Sequence, residues 1–252
     1  RPAATAAALA CARPAGDDRA MAHDFVPGSF TTFLLAFTAL FSIVNPLGGA
    51  FIFFGATQEY AARVRARIAR WVAIYAFAIV AFSLYVGAYV LEFFGISIPV
   101  LRVAGGIVIA MSAWQMLSAP ERRQQRKTDA AATLPDSEHI VPSRVAFYPL
   151  AMPITTGPGT ISVAISLGAN RPAASGAHWL AFVAQTLLAS VLLCLLVYLL
   201  YRNSGRIARA VGPTGTSIVV RLSAFLLFCI GIQVLWTGAA ELLAGLLAAR
   251  GR

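Results

Sequence analysis

Residues 41–54 read FSIVNPLGGAFIFF, an apolar stretch that is interrupted in its middle by Asn45 and Pro46 and then by two glycines. Proline lacks a backbone N–H and glycine weakens a helix interior, so this stretch predicts a helix that breaks at Asn45. A second stretch, YPLAMPITTGPGTISVAI at residues 148–165, carries the same kind of interruption. Inside a lipid bilayer such breaks are tolerated only where they face protein or a water-filled cavity. The two stretches therefore predict a pair of broken helices.

The composition around these stretches is that of a membrane protein. Hydrophobic residues make up 59% of the 252 residues and charged residues only 12%, whereas a soluble domain has about 25% charged residues. A membrane-spanning helix needs about 20 mostly apolar residues. The chain has six runs of this kind: Phe30 to Ala56, Trp71 to Phe94, Ile98 to Leu117, Val145 to Leu167, Trp179 to Tyr201 and Ile218 to Leu247.

The net charge of +10 reports the orientation of these runs rather than nucleic-acid binding. Basic residues concentrate in three alternate connections, and the two connections between them, Gly95 to Ser97 and Gly168 to Ala177, carry only Arg171. By the positive-inside rule the basic connections face the cytoplasm, and both termini lie in the periplasm. The basic residues are Arg63, Arg65, Arg67, Arg70, Arg122, Arg123, Arg126, Lys127, Arg144, Arg202, Arg206 and Arg209.

The six runs form two groups of three, and each group opens with a broken helix. The third run of each group opens with an arginine: Arg102 follows Asn45 by 57 residues, and Arg221 follows Gly157 by 64. Three crossings are an odd number, so the second group must insert upside down relative to the first. We predict an all-α membrane protein of six transmembrane helices built as two inverted-topology repeats, residues 29–118 and 144–252, joined by a cytoplasmic linker at 119–143.

Residues 1–28 are expected to form an N-terminal extension outside the membrane domain. The chain opens with an alanine-rich stretch ahead of Met21. We expect translation to start at Met21, which would leave residues 1–20 outside the mature protein. A cleaved signal peptide is the alternative, but TAAALA is shorter than an apolar signal core of about 7–15 residues.

The two interrupted stretches, together with the arginines that open the third and sixth runs, resemble the MarC family of bacterial inner-membrane proteins. That family is also described as the neutral amino acid transporter family, and it is distantly similar to the lysine exporter superfamily. The resemblance covers roughly Phe25 to Leu247. It implies six helices, external termini and, for some members, transport of small neutral amino acids.

In transporters built from inverted repeats, the solute site lies near the bilayer midplane where discontinuous helices meet. The sequence therefore predicts a secondary transporter of small neutral solutes, with small neutral amino acids as one class, that works by alternating access. The candidate site residues around the first break are Asn45, Pro46 and Gly48. The Asn45 amide has two compatible roles: it contacts the solute, or it caps the broken helix by bonding a freed backbone N–H.

The second break contributes Thr155, Thr156, Gly157, Gly159 and Thr160 to the predicted site. The glycines permit close approach to the backbone, and the hydroxyls would line the site opposite Asn45. For any single threonine, the favoured interpretation is that its hydroxyl satisfies backbone groups freed by the neighbouring prolines.

Arg102 and Arg221 are the cations at the edges of predicted spans. A charge at membrane depth costs about 2.5–3.5 kcal/mol on insertion scales and marks a functional hypothesis. Because both arginines lie near a predicted helix end, we favour headgroup contact or gating ion pairs over contact with the solute.

No enzyme activity, cofactor or metal site is expected. His23, His139 and His178 fall outside or at the edges of the runs. Glu92 and Glu241, the only acids within the runs, sit near external ends, so facilitated diffusion or sodium coupling is as credible as proton coupling. The expected partners are the lipid bilayer and a small neutral solute, with the coupling ion and a homo-oligomeric state left open.

Two further functions remain as alternatives. One is a non-transporting inner-membrane sensor or scaffold that uses the charged stretch Ala119 to Ser143 for docking. The other is a thiol electron carrier, which needs two cysteines that meet. Cys194 and Cys229 lie in the fifth and sixth runs, away from both breaks.

Overall fold

The computed structural model describes residues 30–118, 142–171 and 176–250, and the regular structure within them is all helical. The expected N-terminal extension and the linker up to residue 141 lie outside the described residues. The helices are α1 (Thr31–Val44), α2 (Pro46–Thr57), α3 (Ala62–Tyr85), α4 (Gly87–Phe93), α5 (Ile98–Ser118), α6 (Pro142–Val145), a π-helical segment (Ala146–Thr155), α7 (Pro158–Ala169) and α8 (Ala177–Arg250).

Five of the described helical stretches are long and apolar enough to cross a membrane. Helices α1 and α2 together form the first, and α3 and α5 are the next two. Helix α8 supplies the last two, because it breaks at Gly212, whose φ of 74° is readily adopted only by glycine. We call its two parts α8a (His178–Gly212) and α8b (Thr214–Ala248).

The fourth run, Val145 to Leu167, is broken as predicted, but it is not one of the helical stretches of spanning length. The chain instead forms the π-helical segment, interrupted at Tyr148 by extended backbone (φ −130°, ψ 127°), and then α7 of only 12 residues. The physical reason is the three prolines at 149, 153 and 158. Each removes a backbone donor and crowds the preceding turn, so an uninterrupted α-helix cannot form there.

Other predicted boundaries also shift. Helix α3 begins nine residues before Trp71, at Ala62, so Arg63, Arg65, Arg67 and Arg70 lie on its first turns rather than in a loop. The second run ends as an α-helix at Tyr85 and continues as the separate α4. The basic residues Arg202, Arg206 and Arg209, predicted to be a connection, are helical because α8a continues to Gly212.

Contacts between the helices give their relative directions. Tyr85 near the end of α3 bonds Val183 near the start of α8a, and Arg65 near the start of α3 lies against Gly205 near the end of α8a. Helices α3 and α8a are therefore antiparallel. Helices α5 and α8b are antiparallel by the same reasoning, since the Trp114 ring lies beside the Phe228 ring and Arg102 pairs with Glu241.

The main buried core lies where α1, α2, α3, the π-helical segment and α8a meet. Its fully buried members include Leu40, Phe53, Ile68, Leu150 and Tyr201. Helix α8b packs mainly on α5 through small residues. A Cβ added at Gly231 would lie 2.6 Å from the backbone nitrogen of Ala110. The core that holds both breaks therefore lies on the α8a side of the bundle.

Candidate functional site

The first break is made by a single residue that ends one helix and starts the next. Asn45 has a left-handed conformation (φ 45°, ψ 62°), which asparagine tolerates better than most residues. Its backbone N–H donates to the Phe41 carbonyl at 3.0 Å, and its side-chain Oδ1 accepts from the Gly48 N–H at 3.2 Å. Pro46 occupies the first turn of α2, where its missing N–H is not needed. The capping role predicted for Asn45 is thus present.

The second break is stabilised by hydroxyl groups that bond carbonyls five residues back. Thr155 Oγ1 donates to the Leu150 carbonyl at 2.9 Å, and Thr156 Oγ1 donates to the Ala151 carbonyl at 2.9 Å. Both side chains are buried. Gly157 then has an extended conformation ahead of α7. The hydroxyls satisfy the backbone of a segment that prolines interrupt, which is the interpretation favoured from the sequence.

Tyr201 of α8a links the two breaks. Its side chain is fully buried, and its hydroxyl lies 3.1 Å from Thr155 Oγ1. Because the Thr155 hydroxyl hydrogen points at the Leu150 carbonyl, the Tyr201 hydroxyl is the donor of this bond. Its ring stacks on Phe53 of α2 with centroids 4.6 Å apart, and its hydroxyl lies so close to Gly49 that a Cβ there would clash.

Sequence reasoning missed Tyr201. A tyrosine at the end of an apolar run is typical of the membrane interface, where its hydroxyl meets water. The structure instead buries it, because α8a extends about three turns beyond the predicted end of the run. No signal within the fifth run links this tyrosine to the broken helices.

The other predicted residues divide between the break region and helix packing. Gly48 is buried beside Asn45, whose Nδ2 atom a Cβ would meet at 2.7 Å. Thr160 is buried near the start of α7. Gly159 packs against Ile109 of α5, so its small size serves the contact between α7 and α5.

Arg102 and Arg221 lie toward opposite ends of the α5–α8b pair. Arg102 forms an ion pair with Glu241, which joins the start of α5 to the end of α8b. The Arg102 side chain is 17% exposed and that of Glu241 39%. Arg221 is exposed on α8b. These arginines therefore lie apart from the breaks.

The surroundings of the breaks are apolar or uncharged. Among the residues that the structure describes, the buried side chains that carry hydroxyl groups are threonines, serines and Tyr201, and none of the buried side chains is charged. A cleft of about 560 Å³ opens beside the π-helical segment and is lined by apolar side chains such as Phe82, Val90, Met152 and Ile165. In residues 30–118, 142–171 and 176–250, no three His, Cys, Asp or Glu side chains gather into a group that could hold a metal ion.

The described helices and their apolar surfaces define a multi-pass helical protein of the membrane. The chain belongs to the MarC family: the family model for MarC family integral membrane proteins matches residues 30–243. It is 35% identical over 210 residues to the UPF0056 inner membrane protein MarC of Escherichia coli O1:K1 and to that of Escherichia coli K12. Each match covers 83% of this chain and 94% of the relative. No solved structure matches at a significant level.

The resemblance seen in the sequence is therefore confirmed. So is the predicted location, since these relatives are inner-membrane proteins and the chain has several apolar helices of spanning length.

Proposed function

We propose that this protein is a secondary transporter of small neutral solutes that works by alternating access. The observation that carries the proposal is the bond between Tyr201 and Thr155 beside Gly49. It places two broken helices around one buried side chain. Paired discontinuous helices with freed backbone groups are the usual place for a solute site in secondary transporters.

The proposal includes six crossings in two inverted repeats, with the π-helical segment and α7 together forming the fourth crossing. Support comes from the helix directions. Gly159 lies against Ile109, and Ser162 bonds the Leu101 carbonyl at 3.1 Å, so α7 runs antiparallel to α5. The four-residue connection before Ala62 makes α2 and α3 antiparallel. The π-helical segment and α7 follow the direction of α3, since Phe147 lies against Tyr75 and Gly168 against Leu84. The two broken helices then run in opposite directions, as an inverted repeat requires. Six crossings would leave both termini on one side of the membrane, and we propose that this side is the periplasm.

Uncharged chemistry at the breaks favours a solute without net charge. The helix N-termini at Pro46 and Pro158 carry partial positive charge that suits a carboxylate. Hydroxyl and carbonyl oxygens of Thr155 and Thr156 accept hydrogen bonds and suit an ammonium group. These two chemistries together match a small zwitterion such as glycine, alanine or serine. We therefore include small neutral amino acids in the proposal.

A sensor or scaffold remains the alternative proposal, and the same experiment separates the two. The other alternative, a thiol electron carrier, gains no support from the described residues. Cys194 is buried in α8a, whereas Cys229 is exposed on α8b.

The test is uptake and efflux of labelled glycine, alanine and serine in proteoliposomes, with sodium, proton and no imposed gradients. Asn45→Ala and Gly157→Leu change the two breaks. Asn203→Ala removes a side-chain bond on the exposed surface of α8a, and Gly245→Leu adds the same bulk where nothing lies within 4 Å. We expect saturable flux that is lost in the first two variants and kept in the two controls. No flux in the unaltered protein under any gradient would remove amino acids as substrates and favour the sensor or scaffold.

A further inference from the structure

A guanidinium group without an acid partner lies at the basic end of the bundle, where α2, α3 and α8a meet. Arg65 Nη1 is buried and has no hydrogen-bond partner among the described residues. The group lies 5.3 Å from the centroid of the Phe54 ring, and Nη1 is 3.1 Å from the place that a Cβ on Gly205 would occupy. A buried donor left without a partner is destabilising, and more so when the group is charged.

A second guanidinium reaches the same glycine. Arg209 Nε donates to the Gly205 carbonyl at 3.0 Å, and its charge is close enough to repel that of Arg65. Within the described residues, no carboxylate pairs with either group. An anion between or beside these two like charges would offset their repulsion.

The neighbouring basic residues Arg202 and Arg206 bond side chains of their own helix, whereas Arg65 reaches from α3 to Gly205 of α8a. Arg202 donates to the Tyr198 hydroxyl at 3.1 Å, and Arg206 donates to Asn203 at 3.5 Å. Ser204, beside Gly205, is 1% exposed, and its Oγ has no partner among the described residues. Among the described residues, the buried donors of this region without a partner are thus Arg65 Nη1, which lies against Gly205, and Ser204 Oγ, one residue before that glycine.

We propose that Arg65 and Arg209 form a binding site for a phosphate group. A guanidinium presents parallel N–H donors that match two oxygens of a phosphate, and two guanidiniums neutralise its charge. The phosphate comes either from a lipid headgroup or from a soluble phosphate compound. The position of the site at the basic ends of spanning helices suits the depth of anionic headgroups. The site does not depend on whether the chain transports solutes.

The first arm of the test uses inorganic phosphate with the full chain in detergent. The apparent melting temperature is followed while phosphate replaces chloride at constant ionic strength. Arg65→Gln and Arg209→Gln are the test variants. Arg67→Gln is the matched control, since it removes the same charge from an exposed position of the same helix. We expect phosphate to stabilise the unaltered protein and the control, with an apparent affinity roughly tenfold weaker in either test variant.

The second arm distinguishes the source of the phosphate. The same proteins are placed in nanodiscs of phosphatidylglycerol or of phosphatidylcholine, and native mass spectrometry counts the retained lipids. Selective retention of phosphatidylglycerol that depends on Arg65 and Arg209, and that free phosphate displaces, assigns the site to a headgroup. Stabilisation by free phosphate without such retention assigns it to a soluble compound.

Two outcomes would overturn the proposal. One is an unaltered protein that responds to neither form of phosphate. The other is an equal response in Arg67→Gln and in both test variants, which would mean that the guanidiniums are paired within the chain. If Arg65→Gln does not fold, then Arg209→Gln and Arg65→Lys still decide the question. Lysine keeps the charge without the paired donors, so we expect it to retain only part of the response.

Discussion

We predict how much the free energy of unfolding falls when the hydrogen bond between Tyr201 and Thr155, which links the two breaks, is removed. Tyr201→Phe removes one hydroxyl from a fully buried ring and keeps its stacking on Phe53. Thr155 still donates to the Leu150 carbonyl at 2.9 Å, so the change leaves no unsatisfied donor. Loss of one neutral hydrogen bond under these conditions lowers the free energy of unfolding by about 1 kcal/mol.

Thr155→Val is expected to cost more. It removes both bonds of the threonine and leaves the Tyr201 hydroxyl and the Leu150 carbonyl buried without these partners. The expected loss is about 2–3 kcal/mol. In the double variant, the loss of unfolding free energy should be roughly 1 kcal/mol smaller than the sum of the two single losses. The reason is that each single variant already removes the bond that the two side chains share.

The assay is the apparent melting temperature of the purified protein in one detergent, where about 1 kcal/mol corresponds to roughly 2–4 °C for a chain of this size. If the stability losses of Tyr201→Phe and Thr155→Val simply add in the double variant, the proposed hydrogen bond between these residues is refuted. Flux in proteoliposomes is measured in parallel, because a shift of about 1 kcal/mol between two conformations changes their ratio roughly fivefold.

Tyr85→Phe is the matched control for the flux measurement. The Tyr85 hydroxyl lies 3.0 Å from Thr186 Oγ1 and joins α3 to α8a, so it is a similar bond in the same bundle, away from both breaks. We expect a similar loss of stability with unchanged flux. Equal loss of flux in Tyr85→Phe and Tyr201→Phe would show that flux follows overall stability, and would contradict a special role for the link between the breaks.

Three further predictions test the capping residue, the ion pair and the helix packing. Asn45→Asp keeps an oxygen acceptor for the cap, so the melting temperature should stay within a few degrees while flux falls; retained flux would argue against contact between this side chain and the solute. Arg102→Gln and Glu241→Gln should each lower the free energy of unfolding by at most about 1 kcal/mol. The loss in the double variant should be smaller than the sum of the two single losses, and this difference should shrink in high salt. Gly231→Ala should lower the melting temperature by several degrees, because its Cβ would meet a backbone nitrogen of α5 at 2.6 Å. Gly245→Ala, in open space, should not.

Five of the six predicted spanning runs appear as helices of spanning length, and they were predictable because apolar length is a local property of the chain. Length and apolarity identify α1–α2, α3, α5, α8a and α8b as helices of spanning length without any knowledge of their neighbours. The breaks at Asn45 and Gly157 were predictable for the same reason, since proline and glycine change the backbone wherever they occur. The cap formed by Asn45 follows from its side chain being three residues before a free N–H.

Helix boundaries were less predictable, because amphipathic ends do not stand out as apolar runs. The first turns of α3 and the last turns of α8a carry arginines, which favour a helix but do not read as an apolar run. The fourth run was predicted to break yet to span the membrane, and its described residues form no helix of spanning length. The prolines decided that it could not be regular, and in the π-helical segment the hydroxyls of Thr155 and Thr156 bond carbonyls five residues back.

By itself, the sequence determined the family, the membrane location, the apolar helices and the positions of both breaks, because each depends on residues close together along the chain. Only the tertiary structure decided which side chains meet across large sequence separations. Tyr201 contacts Thr155 and Gly49, and Arg102 contacts Glu241, through the packing of α8 on the helices that precede it. Such pairs depend on helix direction and rotation, and hydrophobic periodicity leaves both undetermined when most faces of a helix are apolar.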